Sequence, residues 1–182
     1  MAVTTDPLTG VFDADRTHSS YQFAVRHMKV STFRASFSDV DARLIADEKP
    51  LRLEGAARVE SISIADPPEF REHVVRGADF FDADNHPEIA FRSDRVALND
   101  NGAVTVEGEL TIKGITRPAT ATGTFQPAVE DPYGSVRAAL ELRAVVDRRN
   151  WGLSWQLPLP DGTDGLGWDV ELSIHLELVR QT

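Results

Sequence analysis

The chain has 182 residues, a formal net charge of -10 at pH 7 and no cysteine, so disulfides, thiol catalysis and thiolate metal sites are excluded. The negative charge disfavours partners such as nucleic acid or anionic lipid surfaces. The length predicts a single domain over residues 1–182, and no apolar run approaches the roughly 18 residues of a membrane span. The first residues lack the features of a signal peptide, and we expect a cytoplasmic protein whose residues 1–10 form a flexible segment.

The first predicted strand, residues 20–27, alternates apolar and polar side chains as a half-buried strand does. Tyr21, Phe23 and Val25 share one face, and His27 is the next residue on that face. An imidazole buried there without a partner would cost on the order of 1–3 kcal/mol. We therefore expect His27 to be paired, to lie in water at the strand end, or to form the polar end of a binding cavity. The first two are the commoner outcomes.

Weaker alternation predicts three further strands in the first half of the chain, at 34–46, 51–64 and 88–98. In the last of them the phase shifts between Phe91 and Val96, which predicts a bulge or a strong twist. Clusters of Asp, Asn, Pro and Gly stand between the strands and predict turns.

One segment, residues 66–87, lacks this alternation and predicts one or two short helices. Asp66 is the expected cap, a proline stands in the first turn, and Gly77 is expected to end the helix. The apolar side chains of this insert are expected to attach it to the rest of the domain, although they could also form a gate; they are Phe70, Val74, Phe80 and Phe81.

The clearest strands lie in the second half, at 103–112, 135–146 and 169–179, with a weaker one at 115–126. Each of the three clear strands has one apolar and one charged face, which is typical of an antiparallel sheet with one side in water. Residues 151–167 are rich in Gly and Pro and predict a long, partly irregular loop. Loops of this length are often lids or binding loops.

About eight antiparallel strands in one domain must close into a barrel or stack as a sandwich to hide their edges. Small residues on or near the inward faces favour a barrel that holds a ligand over one with a filled core; they are Gly108, Ala121, Gly123, Ala138 and Ala144. The same residues would also allow two sheets to pack tightly, so the alternation alone leaves both architectures open.

Five segments, in order along the chain, resemble motifs of the YceI-like family. They are DADRTHSSYQFAVRHMKVSTFRASF (13–37), RGADFFDADNHPEIAFRSD (76–94), ELTIKGITRP (109–118), DRRNWGLSW (147–155) and DVELSIHLEL (169–178). Together they cover nearly the whole chain, and the third is similar to the family signature L-T-I-x-G-V-T-R-P. The resemblance implies an all-β fold, an eight-stranded antiparallel lipocalin-like barrel with a long apolar cavity, here with a short helical insert.

The resemblance also implies a function. Members bind amphiphiles such as polyisoprenoids and isoprenoid quinones, are often dimers, and have no securely assigned enzymatic activity. We therefore expect a non-catalytic carrier for a polyisoprenoid, an isoprenoid quinone or a fatty-acid-like molecule, without a cofactor. A homodimer is a further implication of the resemblance.

The candidate ligand-binding residues follow from the apolar faces and from the polar groups at their ends. The tail of the ligand is expected to contact Tyr21, Phe23, Val25, Phe37, Phe91, Val106, Leu140 and Leu142. Its head is expected at a polar mouth formed by His18, His27, Arg148 and Asn150. Arg148, Arg149 and Asn150 stand at a strand end beside Trp151 and Trp155. The basic pair and the two indoles could hold a polar or anionic head group, or the indoles could plug the mouth while the arginines stay in water.

Two other functions stay open from the sequence. An enzyme acting on a small apolar substrate would use His18 or His27 as a general base, and a structural or stress protein would have a filled barrel. His18 and Ser19 could instead tie a turn through backbone hydrogen bonds, which we favour over a role in binding. No two of the five histidines stand at the spacing of a metal site, so we expect no metal, and no G-x-S-x-G elbow indicates a hydrolase.

Overall fold

In the computed structural model, which describes residues 8–47 and 49–181, ten β-strands form one antiparallel sheet. The strands are β1 (Val11–Ala14), β2 (Ser20–His27), β3 (Ser31–Phe37), β4 (Val40–Ile45), β5 (Arg52–Arg58), β6 (Glu88–Leu98), β7 (Ala103–Ile112), β8 (Ile115–Glu130), β9 (Val136–Asp147) and β10 (Leu166–Arg180). The helices are α1 (Pro68–Arg76) and two short 3-10 helices, Val59–Ser61 and Arg148–Trp151.

The sheet closes on itself. Its order runs β1-β4-β5-β6-β7-β8-β9-β10, and β1 also pairs with β10, so these eight strands form a ring. β2 pairs with the first part of β10 and β3 pairs with β2, so β2 continues the position of β1 and β3 continues that of β4. Closure gives every strand of the ring two neighbours. The predicted eight-stranded antiparallel barrel with a short helix is confirmed, and a sandwich is excluded.

Three of the ten strands have the bounds that alternation predicts, and β8, β9 and β10 differ from the predicted bounds by one to four residues. β2, β6 and β7 coincide with the predicted residues, and the register of β6 against β7 shifts between Ser93 and Arg95, which confirms the bulge. One strand over 34–46 was a wrong prediction, because residues 38–39 separate β3 from β4. β5 covers only the first part of the strand predicted over 51–64, and the four-residue β1 was not predicted at all.

The two ends of the barrel are packed differently. At one, which we call the filled end, inward side chains of the strands form a solid core whose most buried members include Phe12, Leu44, Val104, Leu140 and Leu178. At the other, the helix end, a second cluster joins the β2–β3 hairpin to the segment around α1; it includes Val59, Val75 and Trp151. Such burial stabilises the fold by about 25 cal/mol for each Å² of apolar surface removed from water.

The segment around α1 fills the gap where β3 diverges from β5. An isolated bridge between Phe37 and Ile62 is the main-chain link across this gap. Aromatic rings complete the contact: Phe33 meets Phe70 edge to face with centroids 6.3 Å apart, and Phe37 meets Phe81 in the same way at 6.1 Å. These rings attach the insert to the barrel, as the sequence predicts.

The ends of α1 differ in how well the sequence indicates them. The helix begins at Pro68 and its N-cap is Pro67, with no side chain capping it, so the predicted cap at Asp66 is wrong. Gly77 ends the helix as predicted, and its amide donates to the carbonyl of His73 at 2.8 Å. Within the described part of the chain, no helix has the length and apolar character needed to cross a bilayer.

Residues 8–10 lead into β1. Leu8 packs against the filled end, and the carbonyl of Gly10 accepts a hydrogen bond from the amide of Ala46 at 2.8 Å. Of the segment 1–10 that was predicted to be flexible, residues 1–7 lie outside the described residues, and residues 8–10 contact the barrel.

Candidate functional site: an apolar cavity with a polar mouth

A cavity of about 460 Å³ lies inside the barrel, between the filled end and the helix end. Inward side chains of the strands and of the α1 segment form its walls, and almost all of them are apolar. Ala119, Ala121 and Ala144 stand at inward positions where larger side chains would close the space. The volume falls within the range of about 300–1,000 Å³ that is typical of small-molecule sites.

Most of the residues that were predicted from the sequence to bind the ligand line this cavity. They are Tyr21, Phe23, Val25, His27, Phe37, Phe91, Val106, Leu142, Arg148, Trp151 and Trp155. Leu140 does not line it, because this side chain is buried in the core of the filled end. His18 and Asn150 do not line it either, and both are exposed. The structure therefore corrects the predicted placement of these three residues.

Further residues line the cavity that were not among the ligand-binding residues predicted from the sequence. The added strand residues include Leu53, Ile89, Leu110, Leu172 and Ile174. Each stands in a predicted strand, but alternation indicates only that a residue points inward, whether into a cavity or into a filled core. The insert contributes Phe70, Val74, Phe80 and Phe81 as further walls, so the side chains that attach it to the barrel also enclose the cavity.

Arg148 places a buried charge in the cavity wall at the helix end. Its residue is only 5% exposed. Nε donates to the carbonyl of Gly167 at 2.8 Å, Nη1 to that of Leu153 at 2.6 Å, and Nη2 to that of Leu166 at 3.4 Å. The guanidinium carbon lies 4.1 Å from the centroid of the Trp168 ring, which adds a cation–π contact. The side chain is thus held by backbone carbonyls and an indole.

The neighbours of Arg148 behave differently, and the predicted basic pair does not form at the mouth. Arg149 is exposed and pairs with Asp147, with Nη2 and Oδ2 2.5 Å apart. Asn150 is also exposed. Burial lowers the pKa of Arg148, while the charges of Asp147 and Asp164 act in the opposite direction. Only the first residue of the predicted group Arg148, Arg149 and Asn150 therefore reaches the cavity.

His27 ends β2 in the same part of the cavity. It pairs across the sheet with Leu166, whose carbonyl accepts a hydrogen bond from Arg148. The imidazole lines the cavity and is half-buried. Among the described residues, no side-chain hydrogen bond, ion pair or ring contact involves it. Of the three expected outcomes for His27, the structure matches the polar end of a cavity.

Two further polar groups of the lining are already bonded to the backbone. The hydroxyl of Tyr21 donates to the carbonyl of Asp41 at 2.7 Å, and burial, followed by the charge of Asp41, raises the pKa of Tyr21. The indole Nε1 of Trp151 donates to the carbonyl of Leu110 at 3.0 Å. These bonds satisfy the two groups within the protein. The other polar residues that border the cavity are His27 and Arg148, together with Gln22, Glu54 and Thr120, of which Gln22 and Thr120 are exposed and Glu54 pairs with Arg92.

His18 lies on the outer surface, where the chain passes from β1 to β2. Its Nδ1 is 3.0 Å from Oδ2 of Asp15, and 57% of the side chain is exposed. Hydrogen bonding to Asp15 and the charges of Asp15 and Glu177 raise the pKa of His18. Its partners are therefore surface carboxylates, and its place in the molecule is separate from the cavity.

Ser19 and the carboxylates around His18 have structural partners. The Ser19 hydroxyl accepts from the amide of Glu177 at 3.1 Å, so it ties the chain to β10 as the favoured interpretation predicts. Asp15, His18 and Glu177 lie close enough together to hold a metal ion. However, Arg137 donates to Asp15 at 2.9 Å and to Glu177 at 2.6 Å, so a permanent cation already compensates both carboxylates.

The fold and the cavity together define the class of protein: a closed antiparallel barrel of the lipocalin-like type, hollow at one end and filled at the other. The model of the YceI-like domain matches residues 12–178, and the chain belongs to the YceI-like family. A UPF0312 protein of Staphylococcus aureus (strain N315) is 30% identical over 168 residues, 91% of this chain and 95% of the relative. UPF0312 protein VPA0850 of Vibrio parahaemolyticus is 32% identical over 172 residues, 94% of this chain and 87% of the relative.

Solved structures share the fold. BcnA of Burkholderia cenocepacia superposes with a TM-score of 0.71 at 20% identity, over 92% of this chain and 99% of that chain. A YCEI protein of Campylobacter jejuni gives 0.69 at 20% identity, over 86% and 90%. A protein of Saccharophagus degradans described as a polyisoprenoid binding domain gives 0.65 at 10% identity, over 93% and 98%.

Proposed function

We propose that this protein is a non-catalytic carrier that holds a long-chain isoprenoid or a similar amphiphilic lipid in its barrel. The observation that carries the proposal is the apolar cavity of about 460 Å³, enclosed by side chains of the strands and of the insert. An apolar chain gains about 25 cal/mol for each Å² of surface that it buries, before the cost of ordering. The walls therefore favour a long hydrocarbon tail.

The candidate ligands are a polyisoprenoid, an isoprenoid quinone or a fatty-acid-like molecule. Membership of the YceI-like family supports this class, as does the description of the Saccharophagus protein as a polyisoprenoid binding domain. Because such tails differ mainly in length, the depth of the cavity would limit the chain and the few polar groups would select the head. The cytoplasmic location and the homodimer stay predictions.

The chemistry around the cavity supports binding over catalysis. His27 is the histidine that lines it among the described residues, and a histidine that acts as a general base is commonly oriented by a hydrogen bond to its second ring nitrogen. Within the described residues, no side chain bonds to its imidazole. His18, the other candidate base, is engaged with Asp15 on the outer surface. A filled structural barrel, the third interpretation, is disfavoured by the cavity itself.

A paired set of variants tests the carrier function. Ala121→Leu combined with Ala144→Leu narrows the cavity, whereas Val145→Leu adds a methylene on the outer face of the same strand as Ala144, where 64% of Val145 is exposed. Native mass spectrometry after incubation with geranylgeraniol should detect bound lipid on the wild type and on Val145→Leu, and clearly less on the narrowed variant. Wild-type protein that remains without lipid in this assay would refute the proposal.

A further inference from the structure

Arg148 carries a positive charge in the protein interior, where burying a charge costs free energy. It is 5% exposed and lines an apolar cavity, and burying an uncompensated cation costs several kcal/mol in proteins. Three carbonyls and the Trp168 ring reduce this cost, but none of them carries a negative charge. Among the described residues, no carboxylate oxygen lies within 4.0 Å of its guanidinium nitrogens, the distance that defines the ion pairs of this protein.

The guanidinium also has N–H groups that donate to no acceptor among the described residues. It carries five N–H groups in a planar fork, and three are used, one on each nitrogen. One N–H on Nη1 and one on Nη2 therefore remain. Two N–H groups on the terminal nitrogens are the number that a bidentate bond to the two oxygens of a carboxylate or phosphate requires.

A second polar group stands beside the first. His27 pairs in register with Leu166, the residue whose carbonyl accepts from Nη2 of Arg148. Its imidazole lines the same cavity and has no side-chain partner among the described residues. A neutral imidazole offers one N–H donor, and a protonated one offers two. This part of the cavity thus presents donors from two side chains, while the rest of the lining is apolar apart from Tyr21, Gln22, Glu54 and Thr120.

We propose that the head group held at this mouth is anionic, a carboxylate or a phosphate, which binds to Arg148 in bidentate fashion with His27 as a further donor. This inference rests on the proposed carrier function, with the tail lying in the cavity. The anion would bring a negative charge into hydrogen-bond contact with the guanidinium, whereas Asp147 and Asp164 act on Arg148 from beyond ion-pair distance. A neutral alcohol of the same tail would gain the same apolar burial, but it would form fewer and weaker hydrogen bonds.

The test compares three ligands that share one tail: geranylgeranyl monophosphate, geranylgeranoic acid and geranylgeraniol. Their dissociation constants are measured by native mass spectrometry or by calorimetry with the full chain. At least one of the two acids should bind the wild type at least about tenfold more tightly than the alcohol, because hydrogen bonds to charged groups are the stronger ones. The comparison of the acids shows which of them the mouth prefers.

Variants show which residue causes the preference for the acids over the alcohol. Arg148→Gln should reduce acid binding at least about tenfold and alcohol binding by clearly less, so that the preference for the acids is lost. Arg149→Gln is the matched control, because Arg149 is exposed and paired with Asp147, and it should leave both constants unchanged. His27→Leu, which keeps the backbone bonds of Arg148 intact, should weaken acid binding more than alcohol binding, and it tests the proposal even where Arg148→Gln does not fold.

The outcomes separate the two proposals. Wild-type protein that binds the alcohol as tightly as both acids overturns the anionic head group but leaves the carrier function in place. An equal loss of acid binding in Arg149→Gln and Arg148→Gln also overturns it, since the preference would then arise from general surface charge. Wild-type protein that binds none of the three ligands refutes the carrier function itself.

Discussion

At the scale of single residues, Arg137 on β9 organises the surface where β1 passes into β2. Its Nε donates to Asp131 at 2.7 Å, and its Nη1 donates to Asp15 and Glu177. Hydrogen bonds from His18 and then Arg137 hold the pKa of Asp15 below its usual range, and Arg137 is the main cause of the lowered pKa of Asp131. One guanidinium thus joins the start of β9 to β10 and to the break between β1 and β2.

This network makes stability depend on pH at the acid side. Because the pKa of Asp15 is lower in the folded state than in the unfolded chain, its contribution is present above the ordinary carboxyl pKa of 3.8 and is lost as the pH falls. Asp15→Asn should therefore cost about 1 kcal/mol or less near pH 7, since the groups are partly exposed, and nothing at strongly acidic pH. Urea unfolding over a series of pH values measures the difference.

Asp94→Asn is the control for this prediction, because Asp94 is exposed on β6 and forms no ion pair with the described residues. Its free energy of unfolding should follow that of the wild type at every pH. The contribution of His18 to the free energy of unfolding has the opposite pH dependence. Because the pKa of His18 is raised in the folded state, this contribution is complete at low pH and is lost as the pH rises above about 6.5. A difference between wild type and Asp15→Asn that grows on acidification would contradict the assignment.

At the scale of elements, the contact between β8 and β9 depends on Gly123. Gly123 pairs with Leu142, and a Cβ built on this glycine would lie 1.7 Å from the carbonyl oxygen of Glu141. Real Cβ atoms do not approach backbone so closely, and the obstructing atom belongs to a strand that is paired on both sides. The glycine is therefore required for the two strands to come together here.

Gly123→Ala should destabilise the protein by about 3 kcal/mol or more, because the two backbones must separate to admit one methyl group. The matched control is Thr124→Ala, the next residue on the exposed face of β8, which should change stability by about 0.5 kcal/mol or less. Both values come from chemical denaturation at equilibrium. Equal stability of the two variants would show that the strands adjust at little cost.

The elements themselves could largely be predicted from the sequence. β7 was found at its observed bounds because a charged and an apolar face alternate without interruption, and the bulge of β6 was visible as a phase shift. The split between β3 and β4 was not visible, because alternation records which way side chains point and not which strand each segment pairs with. β1 was not predicted, because four residues are too few to show an alternating pattern.

At the scale of the whole molecule, the barrel is filled at one end and hollow at the other, and the sequence pattern is the same in both. Leu140 and Leu142 stand on one face of β9 and both belong to the core of the filled end, yet Leu142 also lines the cavity and Leu140 does not. Which inward residue meets a partner across the barrel depends on register and closure, which no local pattern contains. The same limit explains why His18 and Arg148 were placed together at the mouth from sequence.

Because the cavity belongs to the folded state alone, the proposed ligand should stabilise the whole domain. A ligand that binds only the folded chain adds about 2.7 kcal/mol when its free concentration is a hundred times its dissociation constant. For a domain of this size this corresponds to a rise in Tm of about 5–10 °C. Thermal unfolding followed by circular dichroism, with and without geranylgeraniol, measures the shift. The double variant Ala121→Leu, Ala144→Leu should show a clearly smaller shift, because its narrowed cavity holds the tail less well, and an equal rise in that variant would mean that the lipid acts elsewhere on the protein.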